Sequence, residues 1–119
     1  MTLTDNDVKE ARKEIIETQK ILNAYERAER RSEKKKLSED AYTEAMHSRF
    51  DLKWFPLDSE ASVAGDLMRV VEELMFTVYV GWDYHPQPVV SSAVTAAIDM
   101  TDQALHYIDT YLEATDERS

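Results

Sequence analysis

The stretch from Val63 to Pro88 constrains the fold of this chain more than any other. Apolar side chains recur along residues 63–80 at spacings of three and four, which is typical of a helix that buries a wide face. Gly81 is a natural helix stop, and the loop that follows contains Pro86 and Pro88, so we expect it to be extended and stiff. The expected core positions of this helix are Val63, Leu67, Val70, Val71, Leu74, Met75 and Val78, continued by Phe76 and Val80.

The composition also favours long helices with few connections. The chain has 119 residues but only two glycines and three prolines, and this length suits one domain, residues 1–119. It has no cysteine, so disulfides and thiolate chemistry are excluded. The N-terminus lacks the apolar segment of a signal peptide, and no apolar run is long enough for a membrane helix. We therefore expect a cytoplasmic protein with no membrane contact.

An amphipathic pattern dominates residues 1–36. Val8, Ile15 and Leu22 recur every seven residues, and a second row follows three positions later. This pattern predicts a long N-terminal helix with a narrow apolar seam, which could also pair with a second copy in a homodimer. Residues 26–36, here called the charged segment, carry six bases and three acids. The segment could extend the helix into solvent, form a linker or bind a partner, and its lack of aromatic residues weakens a nucleic-acid role. The second row of the seam is Ala11, Thr18 and Tyr25.

Three further helices are predicted in residues 37–115. Ser38 is a suitable N-cap for the second, which we expect to end near Pro56, with Trp54 and Phe55 as an apolar plug. Residues 58–60 should cap the third, and the fourth should run from Val89 or Ser91 to about Ala114. The expected fold is all-α, an antiparallel bundle of about four helices with a long N-terminal helix.

Charge is distributed unevenly along the chain. The formal net charge is −10, with +2 on residues 1–36 and −12 on residues 37–119. The larger part should repel nucleic acid and anionic membranes and attract basic partners. Residues 37–115 form the acidic helical core of the predicted domain.

Candidate catalytic groups are sparse. Glu44-x-x-His47 occurs once, without the matching motif that a di-metal bundle needs. Acidic residues on the third and fourth helices, such as Glu72 and Asp99, could hold Mg²⁺ in a hydrolase, but a solvated helix face explains them as well. No phosphate-binding loop or serine elbow is present. We predict no enzyme activity and no catalytic, cofactor or metal residues.

The loop after Gly81 is the predicted binding surface. Trp82 and Tyr84 could anchor a partner while neighbouring carboxylates attract its positive charge. For Trp82 the alternative is that its ring folds back as a plug over the core. The predicted partner-binding residues are Asp58, Glu60, Glu73, Tyr79, Trp82, Asp83, Tyr84 and His85.

A short pattern spanning residues 37–112 resembles a known family. It comprises Leu37-Ser38, Tyr42 and Phe50, then an apolar helix ending near Phe76, then Asp83-Tyr84-x-Pro86-x-Pro88 before a last helix. This layout resembles small helical immunity proteins of the colicin D immunity type, although the long first helix departs from it. The resemblance implies an acidic surface that binds and blocks a basic nuclease toxin.

These observations predict an acidic helical protein that inhibits a basic, nucleic-acid-binding partner such as a nuclease, toxin or effector. It would act as an immunity protein, antitoxin or anti-CRISPR inhibitor that mimics nucleic acid without binding it. One alternative is an oligomeric assembly protein that uses the N-terminal seam. A second is a metal-dependent helical hydrolase.

Overall fold

Four helices build the protein in a computed structural model, which describes residues 4–47 and 59–118, with side chains to residue 115. They are α1 (Asp5–Arg27), α2 (Arg31–His47), α3 (Glu60–Val80) and α4 (Gln87–Arg118). Successive helices pack on one another, and α4 returns to pack on α1. The described residues contain no strand, so the prediction of an all-α bundle with a long N-terminal helix is confirmed.

Helix α1 follows its sequence pattern closely. Thr4 and Asp7 form a capping box at its start, since each side chain accepts a hydrogen bond from the other residue's backbone N–H. Both rows of the predicted seam are buried, with Val8, Ile15 and Leu22 fully inside. The seam faces the chain's own helices, so α1 does not project from the bundle.

Helix α2 begins eight residues earlier than predicted, at Arg31. The charged segment is neither a solvated extension of α1 nor a linker, because it forms the end of α1, a turn and the first turns of α2. Ser38 is therefore not an N-cap. It is buried inside the helix, where its Oγ donates a hydrogen bond to the Lys35 carbonyl at 2.6 Å. The predicted end of α2 and the plug of Trp54 and Phe55 lie outside the described residues.

Helix α3 begins and ends as predicted, but it buries a different face. Ser59 caps it by accepting a hydrogen bond from the Ser62 backbone N–H, and Gly81 is its C-cap. Met68, Val71, Met75 and Val78 are buried, whereas four expected core residues are exposed. The predicted apolar arc was too wide, since among the described helices α3 packs mainly on α2 and α4, and these four side chains on its other side are exposed. The exposed residues are Val63, Val70, Phe76 and Val80.

The connection from α3 to α4 is a compact turn, not the extended loop predicted from its prolines. The backbone N–H groups of Tyr84 and His85 both donate to the Gly81 carbonyl at 2.9 Å. The Pro86 carbonyl then accepts from Val89 and Val90, so α4 starts slightly earlier than expected. This tight turn places residues 81–86 directly over the end of the bundle.

Candidate partner-binding surfaces

Trp82 belongs to the core at this end of the bundle. Its side chain is only 3% exposed, and its ring meets the Tyr25 ring edge-on at 6.1 Å between centroids. The Arg31 guanidinium lies over the indole at 5.9 Å from the ring centroid, which is a cation–π contact. The arrangement matches the plug alternative for Trp82, and the ring is not available as an exposed anchor.

The loop lies beside the charged segment, which was not expected. Asp83 is 3.9 Å from Arg31 at the start of α2, and Lys34 lies over the Tyr25 ring at 5.3 Å. Since the charged segment has an excess of three bases, we call the end formed by residues 26–36 and 81–86 the basic end. The expectation of an acidic setting for this loop is wrong.

Tyr84 and His85 differ in their surroundings. Tyr84 is 87% exposed, so it could still touch a partner. His85 is half-buried and its ring packs against Gly81, where a Cβ atom would collide with it. The absence of a side chain at Gly81 therefore leaves the space that the His85 ring occupies.

The other predicted contact residues lie elsewhere. Tyr79 packs against Tyr42 of α2 at 6.3 Å between ring centroids, and Glu73 is exposed two turns before the end of α3. Glu60 starts α3, about 30 Å from the turn at 1.5 Å per residue. Asp58 lies outside the described residues. The seven predicted contact residues that the structure describes therefore do not form one surface.

A groove between α2 and α3 was missed by sequence reasoning. The rings of Tyr42 and Phe76 are 5.4 Å apart and tilted by 56°, and they line an open groove of about 580 Å³. Phe76 is 49% exposed. The exposure of Phe76 had a signal in the sequence, because Phe76 falls outside the strict core spacing of Val71, Met75 and Val78. Its pairing with Tyr42 of α2 had none, because the pattern of α3 alone does not show which residue of α2 lies beside it. We call this the aromatic groove; its lining residues are Tyr42, Arg69, Glu72, Glu73, Phe76 and Thr77.

Carboxylates dominate α3 and the described side chains of α4. Together they include eight acids and one base, Arg69. Asp109 pairs with Arg12 at 2.8 Å, and Asp102 and Asp99 accept hydrogen bonds from glutamines. The other five make no ion pair or side-chain hydrogen bond with any described residue. They are Glu60, Asp66, Glu72, Glu73 and Glu113.

The predicted homodimer seam is closed. Val8, Ile15 and Leu22 are fully buried within one chain, so a second copy has no free seam on which to pack. Association of copies would require a different surface.

Other candidate chemistry gains no support from the geometry. Within the described ranges, no group of three or more histidine and carboxylate side chains is placed to hold a metal ion. His47 is exposed on α2, and His106 lies against the neighbouring Tyr107 ring at 5.7 Å. No helix of the described chain has the apolar length needed to cross a membrane.

The sequence matches no protein-family model, no curated protein and no solved structure.

Proposed function

We propose that this protein binds a basic protein and blocks the surface with which that protein holds nucleic acid. The observation that carries the proposal is the excess of carboxylates on α3 and the described part of α4, which carry eight acids and one arginine. Five of the eight make no ion pair or side-chain hydrogen bond with any described residue, and such solvated carboxylates share the negative sign of a phosphate backbone. They speed encounter with a basic surface and compete with nucleic acid for it.

An immunity or antitoxin role, or an anti-CRISPR role, is the setting we favour. The resemblance of residues 37–112 to colicin D immunity-type proteins motivates it, since such proteins block a basic nuclease. The exposed carboxylates of α3 and α4, here called the acidic face, are the feature of this chain that such a role would use. The basic end, with Arg27 and Arg30, would point away from the partner.

Affinity capture from host lysate tests the proposal when combined with a matched variant. The parent protein is compared with Asp66→Asn/Glu72→Gln/Glu73→Gln, which removes three exposed or half-exposed charges from α3. We expect the parent, and not the variant, to retain a basic nucleic-acid-binding protein at low salt. Added parent protein should then inhibit nucleic-acid binding or cleavage by the captured protein. Equal capture by both proteins, or capture without inhibition, would contradict the proposal.

A further inference from the structure

We propose that the aromatic groove is the docking site for a cationic side chain of a basic partner. The partner would present this side chain between apolar residues of its own. The inference rests on the proposed function and names the place on α2 and α3 where the partner binds. It assigns an arginine or lysine of the partner to the faces of Tyr42 and Phe76. The acidic residues Glu72 and Glu73 would bind the same cation or its neighbour.

The groove combines the two chemistries that such a side chain requires. Tyr42 and Phe76 provide aromatic rings inclined to each other, and Tyr79 supports Tyr42 from the side with a ring tilted by 73°. Arginine and lysine bind the faces of aromatic rings when the cation lies within about 6 Å of the centroid. Their aliphatic stems pack on apolar surface at the same time.

The protein already uses this chemistry at its basic end. There Arg31 covers Trp82 and Lys34 covers Tyr25, so each cation comes from the chain itself. Among the described residues, no such cation lies over Tyr42, although its ring is half-buried and Phe76 beside it is exposed. The aromatic pair on α2 and α3 is thus left open to a cation from outside.

Charge around the groove favours a cation over an anion. Described residues 37–47 and 60–80 carry seven acids and one base, Arg69. Glu72 and Glu73 line the groove and make no ion pair with the described part of the chain, not even with Arg69 on the preceding turn. The nearest lysine on α2, Lys36, is held by Asp40 at 3.2 Å, and that contact raises the Lys36 pKa.

A defined peptide tests the site without knowledge of the partner. The probe is a helical peptide with arginine and leucine on one face, and its control carries glutamate in place of arginine. Binding is measured by calorimetry, and the chemical shifts of the aromatic side chains are followed by NMR. We expect the arginine peptide alone to bind and to shift the Tyr42 and Phe76 resonances.

Variants separate the groove from general acidity. Phe76→Ala and Glu72→Gln/Glu73→Gln should each weaken binding about tenfold, because each removes half of the recognition chemistry. The matched controls are Val89→Ala, an exposed apolar residue at the start of α4, and Asp99→Asn/Glu113→Gln. They should change the dissociation constant by less than about twofold, because they lie outside the groove. Circular dichroism confirms that every variant keeps its helix content.

The outcomes distinguish this inference from the proposed function. If Asp99→Asn/Glu113→Gln weakens peptide binding as much as the groove variants do, the groove is not the docking site, but the proposal of an acidic binding face is retained. If the peptide binds in the groove but no inhibited basic protein is captured from lysate, the groove stands and the proposed function falls. A peptide that does not bind the parent protein, or self-association of the parent that Phe76→Ala abolishes, would overturn the groove as a site for a foreign cation.

Discussion

Tyr25 carries a buried hydroxyl group that finds no partner among the described residues. The residue is 2% exposed, and its hydroxyl oxygen has no hydrogen-bond partner in the structure of the described chain. A buried polar group without a partner costs about 1–3 kcal/mol, and phenylalanine has nearly the same shape. We expect Tyr25→Phe to raise the free energy of unfolding by about 1 kcal/mol in urea titrations. Tyr84→Phe, at an exposed ring, should have no effect, and a loss of stability in Tyr25→Phe would reveal a hydrogen bond.

The same residue makes stability depend on alkaline pH. Burial raises the pKa of the Tyr25 phenol above its ordinary value of 10.0. Above pH 10 the unfolded chain loses this proton while the folded chain keeps it, so the free energy of unfolding falls as pH rises. The contribution is complete below pH 10 and is lost as pH rises through the folded-state pKa. Urea titrations from pH 9 upward should show a steeper decline for the parent than for Tyr25→Phe, and parallel curves would contradict this assignment.

At the scale of single residues, the sequence predicted which side of its own helix a residue occupies better than it predicted the residue's neighbours from other parts of the chain. The α1 seam was predicted correctly because its seven-residue period is a property of one helix. Ser38 was misread as a cap, since its local pattern suits a helix start as well as a buried small residue. Trp82 could not be assigned because Arg31, which covers it, lies 51 positions earlier in the chain.

At the scale of elements, polar contacts between α1 and α4 hold the two helices in register, and three of them recur at a regular interval. Arg12 meets Asp109 at 2.8 Å, Gln19 donates to Asp102, and Thr95 donates to Glu26 at 3.1 Å. Both sets of positions are spaced by seven, so each step along α1 is matched by a reverse step along α4. This repeat fixes an antiparallel pairing with one alignment, as flanking polar pairs do in coiled coils. Neither helix shows the pairing alone, which is why it was not predicted.

A charge exchange tests this register. Arg12→Asp should lower the free energy of unfolding by about 1 kcal/mol, since two half-exposed acids would then meet. Adding Asp109→Arg should restore most of the loss, as measured by thermal or urea denaturation of all members of the cycle. Lys13→Asp is the matched control, because the ion pair of Lys13 within the described residues is with Glu10 on its own helix. Rescue of Lys13→Asp by Asp109→Arg would show a general charge effect and no specific register.

The bundle also explains why the predicted contact residues that the structure describes are spread over the molecule. An apolar arc on α3 predicts burial, but how much of it is covered depends on where α2 and α4 lie. The turn after Gly81 looked acidic beside Asp83 because the bases of residues 26–36 are remote in sequence. Folding brings the bases of residues 26–36 to this turn. The acids of α3 and α4 that lack a partner among the described residues lie elsewhere, four on α3 and one, Glu113, on α4.

At the scale of the whole molecule, the net charge of −10 is concentrated on α3 and α4. Repulsion among these carboxylates lowers the stability of the folded state. Raising NaCl from about 10 mM to about 150 mM shortens the screening length from about 30 Å to about 8 Å. We expect the melting temperature to rise by about 2–5 °C over this range, because relief of about 0.5–1 kcal/mol moves a chain of this size that far. The double variant Glu72→Gln/Glu73→Gln should melt higher than the parent in low salt and respond less to salt. Glu29→Gln, which removes an acid from among the bases of the α1–α2 turn, should show no such gain. A melting temperature that falls with added salt would mean that attraction between the basic end and the acidic helices outweighs the repulsion.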